Sequence, residues 1–178
     1  MDSKQISINE VLRHTMHDFL NNLHLIQMNI DMDRLEEAKN LIHTYSNKCT
    51  QFFDVNNTGL YNTNEWLQTF SIAYNKVSLD VQTTLLKRGA ERYDMSLKEY
   101  LERFINTIYP LLKGYQEQIL KVHLLSNDFL EIHVELVGEW TPYKWIEESS
   151  FNGLLHVEKE INTESRIKFK LIASERLE

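Results

Sequence analysis

The sequence predicts an α+β protein, in which an N-terminal helical hairpin forms a four-helix bundle by dimerisation and an α/β domain follows. Two observations predict this class. Apolar residues recur at helical spacing in the first third of the chain, and beyond it they also alternate as they do in strands. A short polar segment at residues 56–59, called the polar break below, separates the helical pattern from the mixed pattern. We therefore expect a helical-hairpin domain at residues 1–57 and an α/β domain at residues 60–178, in a chain of 178 residues that is long enough to bury a core.

Two heptad seams, in which apolar residues lie alternately three and four apart, predict the first two helices. The first seam is Leu12, Met16, Phe19, Leu23, Ile26 and Ile30. The second is Leu35, Ala38, Ile42, Tyr45, Cys49 and Phe52. Capping-box spacings precede both seams, at Ser7 with Glu10 and at Asp33 with Glu36. Helices are therefore expected at residues 8–30 and 34–54.

The hairpin is predicted to dimerise. A dozen seam residues contribute about 2 kcal/mol each when fully buried, or roughly 25 kcal/mol as an upper estimate. Fixing about 45 residues costs about 1–2 kcal/mol apiece in backbone entropy, which helical hydrogen bonds offset only in part. Because the chain has no second pair of heptad helices, a second copy is the natural partner for closing a four-helix bundle. The sequence therefore predicts a homodimer.

Mixed helix and strand patterns follow the polar break. Helices are expected at residues 64–75 and 96–116, the second interrupted near Pro110. Alternation predicts strands near residues 77–85, 120–124, 130–136, 155–161 and 167–171, about five in all, with helices on one face of the sheet. Turn residues at 127–128 and 162–165 predict two hairpins, one from the second and third of these strands and one from the last two. The aromatic residues are expected in the core, with a partner surface as the alternative; they include Trp66, Trp140, Tyr143 and Trp145.

A strip of alternating basic residues is predicted to form the solvated face of the last strand and to guard a sheet edge. These residues are Arg166, Lys168 and Lys170.

Composition excludes several classes of function. The five glycines are all isolated, which excludes a P-loop, a Rossmann fingerprint and a kinase glycine loop, since each needs several glycines close together. A net charge of −7 disfavours nucleic acid and anionic membranes as partners. No apolar run is long enough for a membrane span or a secretory signal, and Cys49 is the single cysteine, so we expect a cytoplasmic protein.

The polar strip of the first helix carries the candidate chemistry. It consists of Arg13, His14, His17, Asp18, Asn21 and His24, which fall outside the apolar seam and are expected to face solvent. One interpretation is an ordinary solvated helix face. A metal site needs histidines four apart, or three apart with a supporting carboxylate. His14 and His17 are three apart, but no Asp or Glu is suitably placed on the same helix, which disfavours a metal site. The third interpretation is nucleophilic catalysis by an exposed imidazole, which can accept a phosphoryl group on one ring nitrogen while the other is held by a hydrogen bond.

The string LRHTMHDFLNNLHLI at residues 12–26 resembles the phosphoacceptor helix of the sporulation initiation phosphotransferase B family, which sensor kinases of the citrate/malate type share. The resemblance implies that His17 is the phosphorylated residue, with Asp18, Arg13 and Asn21 as its functional neighbours. It also implies that His14 is an extra histidine and not the acceptor. Met16 and Asn22 stand where the family pattern has basic residues. Charge compensation for the phosphoryl group is therefore expected from Arg13 or from the partner.

The body plan resembles that of a sensor histidine kinase, whose second domain is an ATPase. The resemblance implies an asparagine-bearing helix, for which Asn106 is the candidate, and glycine boxes, which are missing here. We therefore expect a degenerate kinase ATPase domain without a nucleotide site. An unrelated α+β domain is the alternative.

The function implied is that of a phosphorelay phosphotransferase, which moves a phosphoryl group from one response-regulator aspartate to another through His17. The donor would be a single-domain regulator and the acceptor a transcriptional regulator that starts sporulation. No cofactor of its own is expected, and the regulator is expected to supply Mg²⁺. The alternatives are an ATP-dependent sensor histidine kinase core and a non-catalytic dimeric scaffold for response regulators.

Overall fold

The computed structural model describes residues 7–85, 87–114, 116–142 and 150–177, with the side chains of Ile8 and Leu85 left out. The chain divides into two compact units, Met1–Thr50 and Gln51–Glu178. Tyr143 and Trp145 lie outside the described residues. Among the residues that are described, no helix is both long and apolar enough to cross a membrane.

Two long helices make up the first unit, and the second of them continues past Thr50, where that unit ends. Helix α1 spans Ile8–Asp31 and helix α2 spans Leu35–Asn57, close to the predicted bounds. Asp33, at φ 57°, sits in the short turn between them. Within residues 7–50, Ile8 aside, Ala38 is the only buried residue. Most residues of the two apolar seams therefore remain accessible within a single chain, and the dimeric bundle stays a prediction.

The second unit contains two further helices and a six-stranded sheet. Helix α3 spans Tyr61–Ala73 and helix α4 spans Asp94–Ile108, with short 3₁₀ helices at Glu91–Tyr93 and Tyr109–Leu111. Pro110 lies in the second 3₁₀ helix, directly after the end of α4 at Ile108. The predicted break near Pro110 is therefore present, but the prediction that the helix continues to residue 116 is wrong. The strands are β1 Ser78–Leu85, β2 Ile119–Ser126, β3 Leu130–Val137, β4 Ser150–Phe151, β5 Leu155–Asn162 and β6 Arg166–Ala173. The predicted α+β class is confirmed, with one short strand more than the sequence suggested.

The sheet has the order β1-β2-β3-β6-β5-β4, in which β1 and β2 are parallel and the other neighbours antiparallel. Strand β6 is therefore central, so the prediction that its basic residues guard a sheet edge is wrong. Two predicted hairpins, β2 with β3 and β5 with β6, are present. Strand β6 pairs with β3 as well, an arrangement that local alternation does not encode.

One face of the sheet is apolar and packs against α3 and α4 in a single core. On α4, Phe104 and Tyr100 both contact Phe169 of β6, with ring centroids 4.9 and 5.7 Å apart. Trp66 and Trp140 are buried, as predicted. The core therefore forms between the apolar faces of these helices and the apolar face of the sheet.

Helix α3 is capped by a carboxylate that is distant in sequence. Leu60, the residue before the helix, provides no side-chain cap. Instead, the buried carboxylate of Asp94 accepts hydrogen bonds of 2.8 Å from the backbone N–H groups of Asn62 and Thr63. Their side chains also donate to it, at 2.8 Å each. Asp94 thus satisfies donors that the first turn of a helix leaves without partners, and it ties α3 to the start of α4.

Replacing Asp94 with Ala is expected to lower the free energy of unfolding by about 2–4 kcal/mol, because the buried donors of Thr63 and the partly buried donors of Asn62 lose their acceptor. Asp94→Asn, which keeps one acceptor oxygen, should lose less. Urea unfolding measures both, with Met95→Ala as the control at an exposed neighbouring position. A loss below about 1 kcal/mol for Asp94→Ala would show that water replaces the carboxylate at this helix end.

The other face of the sheet is polar and carries paired charges. Glu160 accepts from Lys168 at 2.7 Å and from Lys170 at 2.9 Å. The hydrogen bond from Lys168, followed by that from Lys170, lowers the pKa of the Glu160 carboxyl to about 2. The basic strip of β6 is therefore on the solvated face, as predicted, with its charges neutralised by neighbours.

The lowered pKa of Glu160 predicts a pH dependence of stability. Because the folded-state pKa of about 2 lies below the ordinary 4.5, the contribution of Glu160 is complete above pH 4.5 and is lost as the pH falls towards 2. A carboxyl-carbon NMR titration should give a pKa near 2, and Lys168→Gln should raise it. A wild-type value near 4.5 would mean that the lysines do not hold the carboxylate in solution.

Candidate functional site

Helix α1 presents the candidate site, and its start is fixed by a complete capping box. Ser7 Oγ accepts from the backbone N–H of Glu10 at 3.2 Å, and the Glu10 carboxylate accepts from the backbone N–H of Ser7 at 3.3 Å. The cap sets where the helix begins, and therefore which residues share each face. The first residue of the polar strip, Arg13, follows within two turns.

The polar strip lies at the surface, as the sequence predicts. The side chains of His17, Asp18 and His14 are 72%, 57% and 42% exposed, respectively. In a single chain the apolar seam is also accessible, since its members Leu12, Met16, Phe19, Leu23 and Ile30 are 44–58% exposed. Exposure alone therefore does not single out His17; its hydrogen-bond partners do.

Two polar groups converge on the same nitrogen of His17. Asp18 Oδ1 lies 3.5 Å from His17 Nδ1, and Asn21 Nδ2 lies 3.2 Å from that atom. Helical geometry brings Asn21 into place, because residues four apart lie one turn apart on the same face. The structure thus brings together three of the four predicted site residues, with the Nε2 side of the ring pointing away from these contacts.

The two contacts to His17 Nδ1 favour opposite tautomers. A proton on Nδ1 is donated to the Asp18 carboxylate and leaves a lone pair on Nε2. A bond from the Asn21 amide N–H instead requires the lone pair on Nδ1 and puts the proton on Nε2. Flipping the Asn21 amide places its oxygen at this position and makes both neighbours acceptors from Nδ1. Only the tautomer protonated on Nδ1 has a nucleophilic Nε2.

Asp18 has a second partner, which sequence reasoning missed. Its Oδ2 lies 3.3 Å from His14 Nδ1, so one carboxylate bridges two imidazoles. The signal was available, because His14 and Asp18 are four residues apart on one helix.

Arg13 lies one turn before His17 and is exposed. Within the described part of the chain it makes no hydrogen bond or ion pair. The structure therefore does not bring Arg13 into contact with the other predicted site residues. Its guanidinium is available for an incoming anion, for which it is geometrically and chemically suited.

Over the described ranges, no group of three or more His, Cys, Asp or Glu side chains could hold a metal ion. The expected absence of a cofactor stays a prediction.

Two glycines with positive φ lie where a side chain would clash with a neighbour. A Cβ on Gly138 would lie 1.8 Å from Gln118 Oε1, and one on Gly59 would lie 2.2 Å from Glu91 Cγ. These glycines serve turns of the fold.

Asn106, the candidate for the asparagine-bearing helix of an ATPase, lies on α4. Its Oδ1 accepts a 2.9 Å hydrogen bond from the hydroxyl of Tyr74. Burial of Tyr74, followed by the charge of Glu102, raises the pKa of that hydroxyl, so it stays protonated as a donor. The Oδ1 atom of Asn106 is thus engaged in a hydrogen bond within the protein, between α4 and Tyr74.

Residues 1–58 match the family model described as "Sensor_kinase_SpoOB-type, alpha-helical domain". The match confirms, over that segment, the family that the residues of α1 resemble. No curated protein matches the chain.

Several solved structures are similar to the chain. The mycobacterial sensor histidine kinase MprB is 9% identical, with a TM-score of 0.40 and coverage of 66% of this chain and 96% of that chain. The catalytic domain of the histidine kinase ThkA is 12% identical, with a TM-score of 0.39 and the same coverages. The blue-light activated histidine kinase EL346 of Erythrobacter litoralis is 15% identical, with a TM-score of 0.41 and coverage of 97% of this chain and 61% of that chain.

Proposed function

We propose that this protein is a phosphotransferase of a phosphorelay, in which His17 takes a phosphoryl group from an aspartyl phosphate of one response regulator and passes it to an aspartate of another. A SpoOB-type helical domain of the sensor-kinase class supports a role in two-component signalling. The single observation that carries the finer proposal is the contact between Asp18 and His17 Nδ1, which leaves Nε2 of an exposed ring as the reactive atom.

The chemistry needs only groups that the site and a regulator provide. The Nε2 lone pair forms a bond to phosphorus while the P–O bond of the aspartyl phosphate breaks, and the electron pair of that bond returns to the regulator's carboxylate. The ring, still protonated on Nδ1, becomes positively charged. The Asp18 carboxylate stabilises this charge, as carboxylates beside histidines do. In the second half-reaction the same steps run in reverse towards the second regulator.

Arg13 and Asn21 have supporting roles in the proposal. Arg13 offsets the charge of the phosphoryl group from one turn away. Asn21 accepts from Nδ1 after its amide is flipped and so joins Asp18 in holding the ring. The regulator supplies the acidic pocket and its Mg²⁺, so the contribution of this protein is mainly to position the imidazole.

The apolar seam supports a homodimer as the form that acts. In one chain five of the six residues of the first seam are exposed, and so are Leu35, Ile42 and Cys49 of the second. A second copy is the partner with a matching surface. A four-helix bundle would place the polar strip on its outer flank, where a regulator has access to His17.

A transfer assay tests the proposed function. The full chain is mixed with an isotope-labelled phosphorylated regulator, without ATP, and a second regulator is then added. We expect acid-labile, base-stable phosphate on His17 and its passage to the second regulator. Labelling that requires ATP would favour a sensor kinase. Regulator binding without phosphate on the protein would favour a scaffold.

A further inference from the structure

The least exposed member of the His14–Asp18–His17 cluster is His14. It is 42% exposed, against 57% for Asp18 and 72% for His17. Its Nδ1 lies 3.3 Å from Asp18 Oδ2, on the oxygen of the carboxylate that His17 does not use. A carboxylate on an exposed helix face otherwise rotates freely in water. The contact with His14 therefore favours the orientation of Asp18 in which Oδ1 faces His17 Nδ1.

The orientation of Asp18 matters because His17 has a competing partner. Asn21 Nδ2, at 3.2 Å, is closer to Nδ1 than Asp18 Oδ1 is, at 3.5 Å. Asn21 accepts from Nδ1 only while its amide is flipped. If Asp18 swings away, the amide turns its NH₂ group back to Nδ1 and donates, and the ring proton moves to Nε2. That tautomer has no lone pair where the phosphoryl group must bind. The reactivity of His17 thus depends on what keeps the carboxylate in place.

We propose that His14 is a positioning residue, which holds Asp18 so that Asp18 selects the His17 tautomer protonated on Nδ1. The inference rests on the proposed function for its consequence, a faster phosphoryl transfer. The tautomer itself can be measured without any regulator. In this role His14 carries its proton on Nδ1, the atom that lies 3.3 Å from Asp18 Oδ2, and no proton is transferred.

The test uses three variants of the full chain. His14→Ala removes the donor. His14→Asn restores an amide N–H near the position of the imidazole Nδ1, and Asn has about the same helix propensity as His. His24→Ala is the matched control, since His24 is an exposed histidine one turn beyond Asn21 with no contact to Asp18 in the described structure.

Ring tautomers are read from ¹⁵N NMR of the histidine side chains at pH 8, above the ordinary histidine pKa. The His17 signals are assigned by their loss in His17→Gln. In the wild type we expect His17 to be protonated on Nδ1. In His14→Ala the population should shift towards protonation on Nε2, and the rate of phosphoryl transfer should fall roughly tenfold. His14→Asn should restore both, and His24→Ala should change neither.

An unchanged His17 tautomer in His14→Ala overturns the proposal, and so does an equal shift in His24→Ala. A rate loss without a tautomer shift also overturns it, because a merely structural role would produce that result. Absence of phosphate on wild-type His17 would instead remove the proposed function while leaving the tautomer measurement to decide the role of His14.

Discussion

Substituting His17 with Gln is expected to reduce phosphoryl transfer by roughly a thousandfold or more, to below detection, because the glutamine amide has no nucleophilic nitrogen. The fold should be unaffected. The His17 side chain is 72% exposed, and Gln has a higher helix propensity than His. The measurement is the transfer of labelled phosphate from one regulator to the other, with circular dichroism to confirm the helix content.

His24→Gln is the matched control for this experiment. His24 lies on the same exposed strip of α1, two turns after His17, and the same chemical change is made there. Transfer by His24→Gln should equal that of the wild type. If His17→Gln transfers as fast as the wild type, His17 is not the acceptor and the proposed function fails at its central step.

Leu23→Glu is expected to convert a dimer into monomers. Leu23 is a member of the apolar seam and is 44% exposed in a single chain, so the proposed bundle would bury it. A buried carboxylate without a partner costs several kcal/mol, and two-fold symmetry places one in each copy. A loss of about 4 kcal/mol corresponds to roughly a thousandfold weaker dimer. Glu is also a good helix former, so the effect on the isolated helix is small.

Light scattering measures the outcome as a molar mass, which should fall from twice 21.2 kDa to 21.2 kDa. The control is His24→Glu, which introduces the same charge at the next residue, on the polar strip, and should leave the dimer intact. A Leu23→Glu protein that remains dimeric would show that the seam is not the interface, and a monomeric wild type would contradict the dimer altogether.

Much of the candidate site follows from the sequence because it lies on one helix. The capping spacing of Ser7 and Glu10 fixes where α1 begins, and the heptad seam fixes which residues face away from it. The approach of Asn21 to His17 then follows from four-residue spacing. The bridge from His14 to Asp18 obeys the same rule, but spacing does not reveal which of several neighbours a carboxylate selects.

Local periodicity in the sequence is enough to predict the two long helices, the α+β class, the two local hairpins and the exposed strip that contains His17. The folded structure settled what depends on residues distant in the chain. It placed β6 between β3 and β5, made Asp94 the cap of α3, and used the glycines at 59 and 138 for packing. The physical reason is that helix and strand periodicity act over a few residues, whereas strand order and buried hydrogen bonds depend on which distant surfaces meet when the core forms.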